Sequence, residues 1–123
     1  MFDWNNFLVL ADNLLRSEGD EACLRSAVSR AYYAVYHRAQ MFAISKNNIL
    51  LQDIIRTEHS KHLSLQKFFI DDSDPSLRQL GVNLSRLHKK RVKCDYEDFQ
   101  ITEENAQFSV AFAKSIMGKI PTI

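Results

Sequence analysis

Proline and glycine are scarce in this chain: 123 residues hold two of the first and three of the second. Turns rely on those residue types, so their scarcity excludes a fold of many short strands and favours a few long helices. Cysteine is nearly as rare. Cys23 and Cys94 stand too far apart for a metal-binding or redox motif and are expected to be reduced core thiols of a cytosolic protein. No apolar run approaches the roughly 20 residues that span a bilayer, and the acidic, polar start of the chain does not read as a signal peptide. Membrane and secreted readings are therefore set aside. Excess charge of one sign is lacking too: 16 Lys and Arg face 15 Asp and Glu, a net +1. The global charge says nothing about nucleic acid.

What is present is the balance of an ordinary folded protein, 46% apolar and 25% charged, and a length that fits one domain over residues 1–123. Charge is uneven locally. Arg86, Lys89, Lys90, Arg91 and Lys93 crowd one segment, and Asp71, Asp72 and Asp74 another. Helical spacing of Trp4, Phe7, Leu8, Ala11, Leu14 and Leu15 predicts a first helix with Asp3 as N-cap. A long second helix is predicted from Glu21 to about Ser45, because Leu24, Ala27, Val28, Ala31, Ala34, Val35, Met41 and Phe42 keep the period. From Lys46 to about Glu58 no period holds, and a loop is expected. A third helix is predicted from His59 to Ile70. A fourth opens at Asp74, with Pro75 in its first position, and runs to about Cys94. The fifth is capped by Thr102, carries Glu103 and Glu104 in its first turn, and ends at Met117 before Gly118. Five helices, no strand and no internal repeat are expected.

Two helices carry polar residues where patterning alone would not need them. On the second, Ser26, Arg30, Tyr33 and His37 share a stripe, with Arg30 and His37 about 10 Å apart along the axis. On the fourth, the stripe of Leu77, Leu80, Leu84 and Leu87 continues to Arg91 and Cys94, aiming an arginine inward. Asp95 lies one turn on and can pair with it locally; a phosphate or other ligand is the alternative partner. A histidine that exchanges protons beside an arginine that holds phosphate is the minimum for metal-free RNA cleavage through the 2′-hydroxyl. The same residues also serve as structural hydrogen-bonders. His59 and His62 have the spacing of two metal ligands but lack a third group, and read better as surface or helix-start histidines. Tyr32 and Tyr36 either stack on bases or pack in the core. The basic run contacts phosphates or forms a solvated face.

The run Ser29, Arg30, Ala31, Tyr32, Tyr33, Ala34, Val35, Tyr36, His37 resembles the second-helix signature of the HEPN domain family, in its small stand-alone bacterial and archaeal branch. His59 to Phe69 resembles the family's third helix, and Arg91, Lys93, Asp95 and Tyr96 its Arg, Lys, Asp-Tyr run. The resemblance implies an all-α, five-helix up-and-down bundle that commonly forms a homodimer through the helices bearing the polar motif. Many such proteins are metal-independent endoribonucleases. Others are toxins paired with a nucleotidyltransferase-type antitoxin, and some are non-catalytic modules that bind a nucleotide or a protein. Catalytic members carry a late Arg followed, after four to six residues, by His. Here those positions after Arg91 hold Tyr96, Glu97 and Asp98, so the late histidine is missing; His88, one turn before Arg91, is the candidate to replace it. The expected catalytic set is Arg30, His37, His88 and Arg91, with Tyr33, Lys89, Lys90, Asp95 and Tyr96 binding RNA or a nucleotide. No metal or cofactor is called for.

Overall fold

The computed structural model describes residues 2–17, 20–47 and 60–122. Among these it has five helices and no strand: α1 (Asn5–Leu15), α2 (Glu21–Asn47), α3 (Lys61–Ile70), α4 (Pro75–Tyr96) and α5 (Glu103–Lys119). No helix among the described residues is long and apolar enough to cross a membrane.

α2 organises the bundle. Its 27 residues span about 40 Å, and it packs against α1, α4 and α5, while α3 packs on α4. Contact on three sides explains its wide buried arc, in which Ala27, Ala31, Ala34 and Ala39 are fully buried along with Val28, Tyr32 and Val35. The alanines let the neighbouring backbones come close; the tyrosines fill the space so left. Phe42, Leu65, Phe69, Leu84, Leu87, Val110 and Ile116 complete the main core. A smaller cluster of Leu24, Val28, Cys94, Ile101 and Ala106 closes the end where α4 stops.

The predicted starts follow the capping chemistry. Asp74 accepts from Ser76 N at 2.9 Å with Pro75 in the first turn, and Thr102 Oγ1 accepts from Asn105 N at 3.1 Å. The first helix departs from this: Asp3 accepts from Asn5 N at 3.0 Å, but the N-cap position of α1 is Trp4, one residue later than expected, and its side chain makes no cap bond. Four other boundaries differ from expectation. α2 continues through Lys46 and Asn47, and the rest of the expected loop lies outside the described residues. α3 begins at Lys61, because Ser60 caps it by accepting from His62 N at 3.2 Å; His59 lies outside the described residues. α4 runs to Tyr96. α5 passes through Gly118 to Lys119, and a side chain at Gly118 would meet nothing.

Two devices set the position of α4. At Gly81 an added Cβ would come within 2.8 Å of Ile70 N and 3.0 Å of Gln66 O, so only glycine lets α3 and α4 approach this closely. At the other end Arg25 of α2 holds the segment after α4. Its Nη1 donates to the carbonyls of Cys94 at 2.7 Å and Glu97 at 3.0 Å, and its Nη2 donates to Phe99 O. Glu21 Oε1 accepts from Arg25 Nε and Nη2 and also from Ile101 N at 3.3 Å. Carbonyls at a helix end lack intrahelical partners, and Arg25 supplies them.

Candidate functional site

Where α2, α3 and α4 meet, one contiguous cluster gathers three histidines, four tyrosines and an arginine. Tyr32 and Tyr36, four residues apart, face inward and are 0% and 1% exposed. They belong to the core, so the base-stacking role considered for them is corrected: burial leaves no face for a base. His62 enters from the first turn of α3. Its Nδ1 lies 2.7 Å from the Tyr32 hydroxyl, and its ring centre is 4.7 Å from that of Tyr36. His88 of α4 stacks on His62, with centroids 4.9 Å apart and planes 16° from parallel. On its other side, His88 Nδ1 is 3.0 Å from Nε2 of the buried Gln66.

Arg91 follows His88 by one turn and points inward, as the α4 stripe predicts. Its side chain is 6% exposed. The guanidinium carbon lies 5.4 Å from the Tyr32 ring centre, 5.3 Å from Tyr33 and 5.9 Å from Tyr96, where ring faces favour a cation. Asp95 Oδ2 accepts from Nη1 at 3.3 Å and from Ser29 Oγ at 3.3 Å. Arg91 Nε is buried and has no hydrogen-bond partner among the described residues. A buried guanidinium with one bond out of five donors has capacity left for an acceptor.

His37 marks the cluster's edge toward α1. It stacks on Trp4 at 3.7 Å with planes 10° apart, and its centre is 5.1 Å from that of Tyr36. Burial lowers the proton affinity of all three imidazoles. For His62 it combines with repulsion from His88, Arg91, Lys61 and His37 to bring the pKa to about 4. His88 is lowered by burial and by Arg91, and His37 by burial and by Lys61. Burial raises the Tyr32 phenol well above its ordinary value, outweighing the opposite pull of Arg91. At neutral pH the three imidazoles and the Tyr32 phenol are thus uncharged, and they surround a guanidinium paired with Asp95.

The other expected site residues divide. Tyr33, Asp95 and Tyr96 line the Arg91 side. Lys89 stands with His88 on a hollow of about 360 Å³ between α3 and α4, lined also by Leu63, Gln66, Ser85 and Val92. Lys90 turns to α5 instead, its ammonium 5.2 Å from the Phe108 ring centre, so it is not grouped with Arg91. Arg30 is exposed and lies over Phe7 of α1 at 5.3 Å, which likewise draws it away. Among the described residues no group of three or more His, Cys, Asp or Glu could hold a metal ion. Gln66 completes the cluster although sequence reasoning gave it no role, and His62 and Tyr32 enter it otherwise than in the metal ligation and base stacking weighed for them. The signal was present in α3, where His62, Leu65, Gln66 and Phe69 fall on one stripe, and two polar residues on a buried stripe ask for partners.

No protein-family model, curated protein or solved structure matches the chain.

Proposed function

We propose that the chain is a HEPN-type helical protein of the cytoplasm that acts on RNA in a toxin or defence setting, with the Arg91 cluster as its phosphate-binding centre. The observation that carries this reading is the buried Arg91 guanidinium, whose Nε has no partner among the described residues and whose charge acts on the neutral imidazoles of His62 and His88. A phosphodiester placed there would meet a fixed cation and uncharged ring N–H groups, the arrangement that stabilises charge developing on phosphorus oxygens. Cleavage through the 2′-hydroxyl would need a proton acceptor and a proton donor but no metal. The resemblance also puts two chains together over the polar motif, with a nucleotidyltransferase-type antitoxin as partner.

Incubating the purified chain with mixed RNA and a chelator tests the catalytic reading. Cleavage that Arg91→Ala abolishes is the expected result; intact RNA, or cleavage unchanged by that substitution, rejects it. The second reading is a module that binds a nucleotide without breaking a bond, and the occupied Nδ1 atoms of His62 and His88 favour it. Calorimetric titration with nucleotides separates the two, since binding without turnover selects the module. Light scattering that finds only monomer at high concentration would remove the dimeric form of either reading.

A further inference from the structure

Two half-buried imidazoles of the cluster, His62 and His88, each have one ring nitrogen engaged inside the protein, and the chemistry of its partner decides which nitrogen carries the proton. Tyr32 is fully buried, and its hydroxyl lies 2.7 Å from His62 Nδ1. A buried hydroxyl hydrogen needs an acceptor, and Nδ1 is the one in reach. The phenol therefore donates, Nδ1 accepts, and the proton of neutral His62 resides on Nε2. Gln66 acts alike on His88: its side-chain amide nitrogen, 3.0 Å from Nδ1, is a donor only. His88 too is left with its proton on Nε2.

We infer that Tyr32 and Gln66 are positioning residues that lock His62 and His88 in the Nε2–H tautomer, making both rings hydrogen-bond donors toward a bound oxyanion, and leave His37 to take up the proton. The inference rests on reading the Arg91 cluster as a phosphate site and says how that site works. Protonating His62 would turn its Nδ1 into a donor facing the Tyr32 hydroxyl, and the phenol hydrogen would lose its acceptor. Protonating His88 would oppose Nδ1–H to the Gln66 amide N–H, and the carboxamide would have to turn over to offer its oxygen. His37 meets no such block. It is faced by Trp4 from the segment before α1, by Tyr33 and Tyr36 of α2, and by His62 and Lys61 of α3, and none of these donates a hydrogen bond to it. Burial and then the ammonium of Lys61 oppose its charging, and an arriving anion would offset the second of these.

Long-range proton–nitrogen spectra of the full chain labelled with nitrogen-15 histidine read the tautomers directly. At pH 7.5 His62 and His88 are expected as Nε2–H, unchanged when inorganic phosphate is added, while the His37 nitrogens move toward the protonated form as the pH is lowered in its presence. Tyr32→Phe, which keeps the ring and removes the donor, is expected to turn the His62 signature into a mixture. Gln66→Glu is expected to move the His88 proton to Nδ1. Each change should weaken phosphate binding by roughly tenfold, the loss of about one hydrogen bond to an anion, with the helical circular dichroism kept. An Nδ1–H signature for either ring in the unaltered chain, or a His62 signature unmoved by Tyr32→Phe, overturns the lock. Locked tautomers with no shift on adding phosphate uphold Tyr32 and Gln66 as positioning residues and overturn the phosphate site beneath them.

Discussion

Two arginines, Arg25 on α2 and Arg91 on α4, are both drawn into the protein, and they differ in what meets them there. Arg25 is the more exposed, at 23% of its side chain against 6% for Arg91. Yet it is nearly saturated: three backbone carbonyls and the Glu21 carboxylate accept from it. Arg91 has the long bond to Asp95, three ring faces, and a buried Nε with no acceptor among the described residues. A charge taken from water is stabilising only when its donors are answered. Arg25 meets that condition and reads as a fastening; Arg91 does not, and the proposed phosphate site rests on that deficit.

The largest effect expected from breaking this contrast is on stability at Arg25. Arg25→Ala removes the partners of several carbonyls at once and should cost about 3 kcal/mol, seen as a lower midpoint in urea unfolding with an unchanged slope. A cost below about 1 kcal/mol would show that the segment after α4 holds without its clasp.

Next comes acid. The folded protein holds protons on His62, His88 and His37 less tightly than the unfolded chain does, whose histidines titrate near 6.5, with His62 depressed to about 4. The unfolded state therefore binds more protons between those values, so this contribution to stability is whole above about pH 7 and is lost as the pH falls toward 4. Thermal melting between pH 4 and 8 should show that slope, and His62→Asn should flatten it; an equal slope in the variant would place its origin elsewhere.

A smaller change is expected at Gly81. The methyl of Gly81→Ala must displace Ile70 and the Gln66 carbonyl, at a net cost of about 1 to 2 kcal/mol once the gain in helix propensity is counted. The midpoint of unfolding measures it. The smallest effect belongs to the other half of the contrast: Arg91→Met, which fills the volume without the charge, should change stability by less than about 1 kcal/mol. A loss as large as that of Arg25→Ala would make Arg91 a fastening too and would remove the reason to look for a ligand.

The helices were legible because their signals are local. Pro75 after Asp74 and Thr102 before two glutamates are decided by a few neighbouring residues, and the structure has both caps. Arg91's inward direction followed from the leucine stripe it continues. What could not be read was which polar residues meet. Arg30 and Arg91 look alike in sequence, but one is drawn out over Phe7 and the other is enclosed by tyrosines of a different helix. Lys89 and Lys90 are adjacent, yet a helical step of 100° sends one to the His88 hollow and the other to α5. His62 stayed hidden because its partners, Tyr32 and His88, stand 30 and 26 residues away in sequence. The Arg25 clasp is the extreme case, since three of its acceptors are backbone carbonyls, which carry no residue-type signal at all.

The chain has a single tryptophan, and that indole lies flat against His37 at 3.7 Å. A protonated imidazole quenches an indole in contact with it more strongly than a neutral one. The protein therefore carries an intrinsic optical gauge of the charge on His37, readable by emission intensity without a label, a crystal or a substrate.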